Sequence, residues 1–439
     1  MTKVGLTNRW QILRLLRSRP FALLWVGQTI SILGDGVSGI ALIWLVLLLT
    51  GSATAMGLVI AVQIIPTITL LLIGGVTADR FPRRLVMLWS DGGRAFVTFL
   101  IVGLGLFRLL HLWHLLALVL IFGIVDSFFS PAYNAIMPQL VSTKDISSAN
   151  ALTAFSRQMG RLLGPLLGAA CVSLVGPVIA FAFDGLTFVV SAICLLVLRL
   201  PNTSLALSTS SETPDETSSE GEQLVVPPST KSDLRTLLAD IGEGLRYVTS
   251  STWLWITILV ASLANIGFFG PMTVALPKLV HDVYGTGAWL LGVISTTSAA
   301  GSIISTFIIG QKLHFHRRGA FAYLAMIGSG MALVMFGLPL PRASEPILVS
   351  GASLFAGFCL GTFGIISTTL MQELVPNDKL GRVSSLDMLG SYSLIPLGFL
   401  LVGILADLIG PSRVFIGGGI MTMVLAILAL SVRDIRQLQ

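Results

Sequence analysis

Long apolar stretches alternate with short polar turns along nearly the whole chain, and the stretches share one length. A helix needs roughly 20 mostly apolar residues to cross a bilayer, and about twelve such segments fit the chain. They centre near Thr29, Ile64, Val97, Val125, Gly164, Phe188, Ile266, Thr296, Met331, Phe358, Leu394 and Thr422. One segment breaks the rhythm. Residues 201–233 are rich in Ser, Thr, Pro and acids, which predicts a disordered linker. It separates residues 1–200, six spans behind a basic N-terminus, from residues 251–439, which hold six more. Between linker and second half, residues 234–250 space their apolar positions as an amphipathic helix would, predicting a helix at the membrane interface.

The two halves repeat. "MPQLVSTKDISSANALTAF" begins at Met137 and "MQELVPNDKLGRVSSLDML" at Met371, an offset of 234 residues. Gly164 and Gly398 keep that offset, as do Gly176-Pro177 and Gly410-Pro411. An even number of spans gives both repeats the same orientation. The expected fold class is therefore an all-α membrane protein, twelve transmembrane helices in two parallel six-helix repeats around a midplane site.

Composition excludes the soluble alternatives. The 439 residues are 54% hydrophobic and 11% charged, with mean hydropathy +0.89, more apolar surface than a soluble core hides. The net charge of +6 does not indicate a nucleic-acid partner, because the basic residues sit in short patches beside the spans. Arg80, Arg83, Arg84, Arg317, Arg318, Lys379 and Arg382 fall on one side, whereas the opposite loops hold only Arg108, Lys278, Arg342 and Arg413. The full bias is roughly five to one, which predicts a multi-pass protein of the cell membrane with both termini in the cytoplasm. The first apolar run is too long for a signal-peptide core and is read as a retained span. Cys171, Cys194 and Cys359 lie inside spans and the five histidines are read into loops, so neither a disulfide framework nor a metal is expected. A phosphate-binding G-x-x-x-x-G-K-[ST] loop is absent, so ATP drive and other cofactors are not expected.

The turn after the second span reads "GGVTADRFPRR". Gly75 lets a neighbouring helix approach, Asp79 suits the positive end of another helix, and Arg80, Arg83 and Arg84 suit the headgroup level. A plain basic turn is the competing reading. The pattern resembles the signature between the second and third helices of the major facilitator superfamily. There it is thought to latch the two halves in the outward-facing state. In the second half "GQKLHFHRRG" keeps Gly310, Arg317 and Arg318 but has His314 where the acid would stand. "GRLLGPLLGA" in the fifth span, with Gly160, Gly164, Pro165 and Gly168, resembles a signature of exporters in that superfamily. Its glycines make a flat face for close packing, and its proline favours a kink. Ordinary small-residue packing is the alternative. "SFFSPAYNAIMPQLV", "SRQMGRLLGP" and "LVPNDKLGRVSSL" resemble the branch containing macrolide efflux proteins and the enterobactin exporter.

Ionisable residues inside spans mark functional positions, because a charge at a helix centre costs about 2.5–3.5 kcal/mol on insertion scales. Asp35 in the first span and Asp126 in the fourth are the proton-coupling candidates. Asp91, Arg94, Arg157, Arg161 and Asp184 form a candidate charge network. Asp91 and Arg94 are spaced to pair, and Arg157 and Arg161 are placed to answer Asp126 or an anionic part of a substrate. Asp387 and Asp407 fall nearer the ends of the eleventh span. Candidate cavity residues are Gln28, Phe128, Phe129, Tyr133, Asn134, Asn265, Phe268, Phe269, Phe355 and Phe358, aromatic surface with a few amides, suited to a drug-sized apolar ligand. No catalytic constellation is present, so an enzyme is not expected. The expected function is a monomeric secondary active exporter of hydrophobic or amphipathic small molecules. It would exchange them for protons by rocking of its halves. Nutrient uptake and a non-transporting sensor remain the alternatives.

Overall fold

The computed structural model describes residues 15–198, 234–311 and 317–438. The basic start of the chain, the linker expected over 201–233 and the position of His314 lie outside the described residues.

The first half comprises α1 (Arg19–Thr50), α2 (Ala53–Thr69) with α3 (Leu71–Arg80), α4 (Arg83–Leu106), α5 (Leu112–Asp126) with α6 (Phe129–Leu140), α7 (Ile146–Val175) and α8 (Pro177–Val197). α9 (Leu234–Ser250) precedes the second half. That half comprises α10 (Thr252–Gly270), α11 (Trp289–Ile309), α12 (Arg318–Gly337), α13 (Glu345–Leu374), α14 (Asn377–Tyr392) with α15 (Ile395–Ile409), and α16 (Pro411–Ser431). Eleven helices are long and apolar enough to cross a membrane, or twelve when the bent α2–α3 pair counts as one. Each expected centre falls inside one of them. α10 continues through π-helical turns at Pro271–Ala275 and Leu279–Val283, so its span reaches Val283. Bulky apolar side chains such as Trp89 and Leu174 stand more than three-quarters exposed, as a lipid-facing surface requires.

The repeat is visible in the backbone. Gly176 and Gly410 both close one helix and open the next, at φ 87° and 90°, each followed by a proline in the first turn. Only glycine holds that conformation without a side-chain penalty, so the turn chemistry repeats with the sequence.

Within the first half, α1 packs between α7 and α8. A Cβ on Gly164 would lie 2.8 Å from the Gly36 Cα, and one on Gly36 would lie 2.6 Å from the Gly164 Cα. Gly160 and Gly168 meet Ile32 and Val37 the same way. α7 runs unbroken through Pro165. A Gly164→Ala protein is therefore expected to lose about 1–3 kcal/mol of stability by overpacking. Gly75→Ala, whose site has nothing within 4 Å, should be neutral. Thermal unfolding of the two purified proteins compares them, and equal midpoints would count against the α1–α7 contact.

Glu243 pairs with Arg382 at 2.6 Å and Lys379 at 3.5 Å, and Val248 is buried with Leu254, Val375 and Val383, so α9 is docked on the basic end of the second half.

Candidate functional site

The halves meet at the end opposite the basic turns. There α2 packs on α15 and α7 on α11. Thr296 donates to the Leu162 carbonyl at 3.1 Å, and the Trp44 and His281 rings meet edge-on with centroids 5.9 Å apart.

The tightest of these junctions is built on Asp407, near the end of α15. Its carboxylate accepts hydrogen bonds from the Ser52 hydroxyl (2.6 Å), the Ala53 and Thr54 N–H groups (both 2.9 Å) and the Thr54 hydroxyl (2.7 Å). Lys278 of the second half pairs with the same carboxylate. An anion thus sits on the open N–H groups of α2, where the helix dipole favours it. Gly403, one turn earlier, has no side chain to hold α2 away, and a Cβ there would lie 2.6 Å from the Ala53 carbonyl oxygen. Sequence reading gave Asp407 no role. The signal was present, because Gly403-x-x-x-Asp407 repeats the spacing of Gly75-x-x-x-Asp79.

At the other end the expected latch residues are not engaged across the halves. Gly75 faces open space and Asp79 and Arg80 are exposed. Arg83 and Arg84 bond within the first half. Arg83 donates to the Ala135 carbonyl at 3.2 Å, and Arg84 donates to the Leu195 and Leu196 carbonyls at 2.6 Å each. Arg84 satisfies carbonyls at the C-terminal end of α8 and Arg83 one in α6, and together they pin the α3–α4 turn within the first half.

Midway along the first half, Arg94 joins two carboxylates. It bonds Asp91 at 2.5 Å and Asp126 at 3.1 Å, and its guanidinium lies 4.3 Å from the Phe129 ring centroid and 4.5 Å from that of Phe188. Asp91 is fully buried and Arg94 is 3% exposed, whereas Asp126 is 36% exposed, so the network runs from the core to a cavity wall. That wall belongs to a cavity of about 230 Å³ whose lining includes Asp35, Asp126, Asp184, Ser38, Gln63 and Thr98. α1 passes close to Asp184 because Gly34 lies against it; a Cβ there would be 2.5 Å from Asp184 Oδ1. Four carboxyl groups therefore gather around one guanidinium. Among the described residues Arg94, not Arg157 or Arg161, is the ion-pair partner of Asp126. Span order gave no signal between them, since Arg94 lies one span before Asp126 and Arg157 and Arg161 one span after it.

Arg157 and Arg161 instead reach other spaces. Both line a cavity of about 540 Å³ with Tyr133, Asn134, Asn150 and Gln158, and both line a shallower one of about 470 Å³ with Asp35. In the second half, Asn265 and Phe269 line a cavity of about 250 Å³ with Tyr323, Phe363, Asp387 and Tyr392. Several expected cavity residues are packed elsewhere. Phe129 and Phe268 are buried in apolar cores, since aromatic area is best hidden where neighbours fill the space. Phe358 packs against the cluster of Ile309, Ala322, Ile366 and Leu370, and the exposed Phe355 packs on Gly328. Phe128 lines an apolar groove with Phe81, Leu85 and Trp89. Gln28 is partly buried, with a carbonyl oxygen that no partner meets. His114 and His281 fall within helices rather than loops, and among the described residues no group of side chains has the arrangement of a metal site.

Comparison with known proteins places this geometry. The chain is 22% identical over 431 residues to macrolide efflux protein A of Streptococcus pyogenes, covering 98% of each. It is 27% identical over 439 residues to the enterobactin exporter EntS of Shigella boydii, covering 96% of this chain and 93% of that one. Among solved structures, a bacterial homologue of the iron transporter ferroportin in its inward-facing state superposes with a TM-score of 0.71 at 16% identity, covering 95% and 100% of the two chains. A bacterial metal transporter superposes with a TM-score of 0.67 at 15% identity, covering 95% and 100%. The helices, the repeat and a match to the Major Facilitator Superfamily over residues 24–399 agree, and the chain belongs to that family of multi-pass membrane transporters.

Proposed function

We propose that the protein exports hydrophobic or amphipathic small molecules from the cytoplasm in exchange for protons. The observation that carries this reading is the shared cavity of Asp35, Asp126 and Asp184 beside the buried Arg94. Four carboxyl groups against one guanidinium leave negative charge uncompensated inside a span, and protons can supply the balance. Asp35 is the coupling group, because it is exposed to that cavity and makes no ion pair among the described residues, whereas Asp126 is held by Arg94. Export as the direction is supported by the efflux relatives. Both termini and the basic turns face the cytoplasm.

The conformation is inward-facing, closed at the outer end by the Asp407 junction. Rocking outward breaks that junction and brings the far ends of α3 and α14 together. Asp79 then meets the N–H groups at the start of α14, near Asn377. Two carboxylates of like spacing, each on a helix N-terminus, thus hold opposite end states.

Proteoliposomes holding a pH gradient test the coupling. Lipophilic compounds should trigger proton flux in the wild type. Asp35→Asn should bring that flux to background, while Asp126→Asn should lower it in part. Undiminished flux in both variants would overturn the assignment.

A further inference from the structure

The cavity of the second half has a chemistry the first half lacks. Asp387 lies ten residues into α14, about 15 Å along the helix at 1.5 Å per residue, and so inside the span Asn377–Ile409. It is half-buried and lines a space of about 250 Å³ with Tyr323, Phe363, Phe269 and Tyr392. The Ser391 hydroxyl reaches it at 3.5 Å, and Ser391 is itself fixed by Asn265, which donates to the Ser391 carbonyl at 2.9 Å. Among the described residues no Lys, Arg or His pairs with it; the nearby cations Lys379 and Arg382 are held by Glu243, and Arg318 by Glu373. The contrast with Asp126, answered by Arg94, is direct.

A carboxylate within a span, without a basic partner among the described residues and sharing its cavity with aromatic side chains, lacks one thing, a cation. Rings supply a favourable surface for an organic cation within about 6 Å of their centroids, and the carboxylate supplies the counter-charge. A hydrated inorganic ion would gain nothing from the rings. We propose that Asp387 and the surrounding aromatics form the site for the positive group of a lipophilic organic cation, such as a protonated tertiary amine on an apolar body. This deepens the exporter reading by naming the substrate class, and it divides the labour: the first half holds the proton site and the second half binds the substrate.

The test uses the full chain in nanodiscs and two probes of similar size, the fluorescent cation naphthylmethyl-trimethylammonium and the anion naphthylacetate, with empty nanodiscs as the partition control. The cation should bind the wild type more tightly than the anion. Asp387→Asn should weaken cation binding by about tenfold or more, the loss of one charge contact, and Asp387→Glu should retain part of it. Size-exclusion profiles check that both variants stay folded. Cation binding unchanged in Asp387→Asn, no cation binding at all, or preferred anion binding that falls in Arg157→Gln/Arg161→Gln would each overturn the proposal. Proteoliposome transport separates the two readings. Cation bound through Asp387 but never moved sinks export and leaves the site standing. Export of other compounds without cation binding does the reverse.

Discussion

Arg94→Gln is expected to be the most damaging single substitution in the protein, lowering stability by about 3–5 kcal/mol, the range for removing one partner of a buried ion pair. The reason is Asp91. It is fully buried, and one of its oxygens already has no hydrogen-bond partner, so Arg94 is its main compensation. Asp126 faces a cavity and can turn to water; Asp91 cannot. The double variant Asp91→Asn/Arg94→Gln should recover most of the loss, because two amides can bond each other without a stranded charge. Arg94→Lys should fall between. It keeps the charge but gives up the flat guanidinium that spans two carboxylates and stacks between Phe129 and Phe188. Folded yield and thermal midpoint in detergent measure all three. A double variant no better than the single would show that the network acts on more than this pair.

The fold was legible because lipid imposes a coarse rule. Span length and repeat offset each read a property summed over many residues, and such sums survive local exceptions. The site was legible only in its membership. Asp35, Asp126 and Asp184 stood out because a carboxylate inside a span is costly wherever it points. Their grouping was not legible, because it depends on which faces of α1, α4, α5 and α8 turn toward one another. Arg94 shows the limit: its pairing with Asp91 follows from spacing along one helix, whereas its bond to Asp126 crosses between helices. The aromatic candidates fared worse for a related reason. Phe129 and Phe268 have the same chemistry whether they line a cavity or fill a core, and packing decides.

Asp407→Asn should open the outer end of the transporter. The carboxylate gathers four donors from the first turn of α2 and one lysine, and it is the most densely bonded junction between the halves among the described residues. The Ala53 and Thr54 N–H groups bond different oxygens of Asp407, so asparagine keeps an acceptor for one of them and turns its amino group toward the other, where attraction becomes donor against donor. Loss of the charge also removes its interaction with the α2 dipole. Together these should cost the closed outer end about 2 kcal/mol, roughly a 30-fold shift toward the open one. Lys278→Gln should shift it less, because the α2 contacts remain. Spin labels at Arg108→Cys and Arg342→Cys, in exposed loops of the two halves at that end, report the separation once Cys171, Cys194 and Cys359 are replaced by alanine. A longer-distance population should grow in Asp407→Asn. An unchanged distance distribution would mean that close packing, of Gly403 on Ala53 and of Gly57 of α2 on the Phe399 carbonyl of α15, holds the outer end shut alone, and that the carboxylate only decorates the helix start.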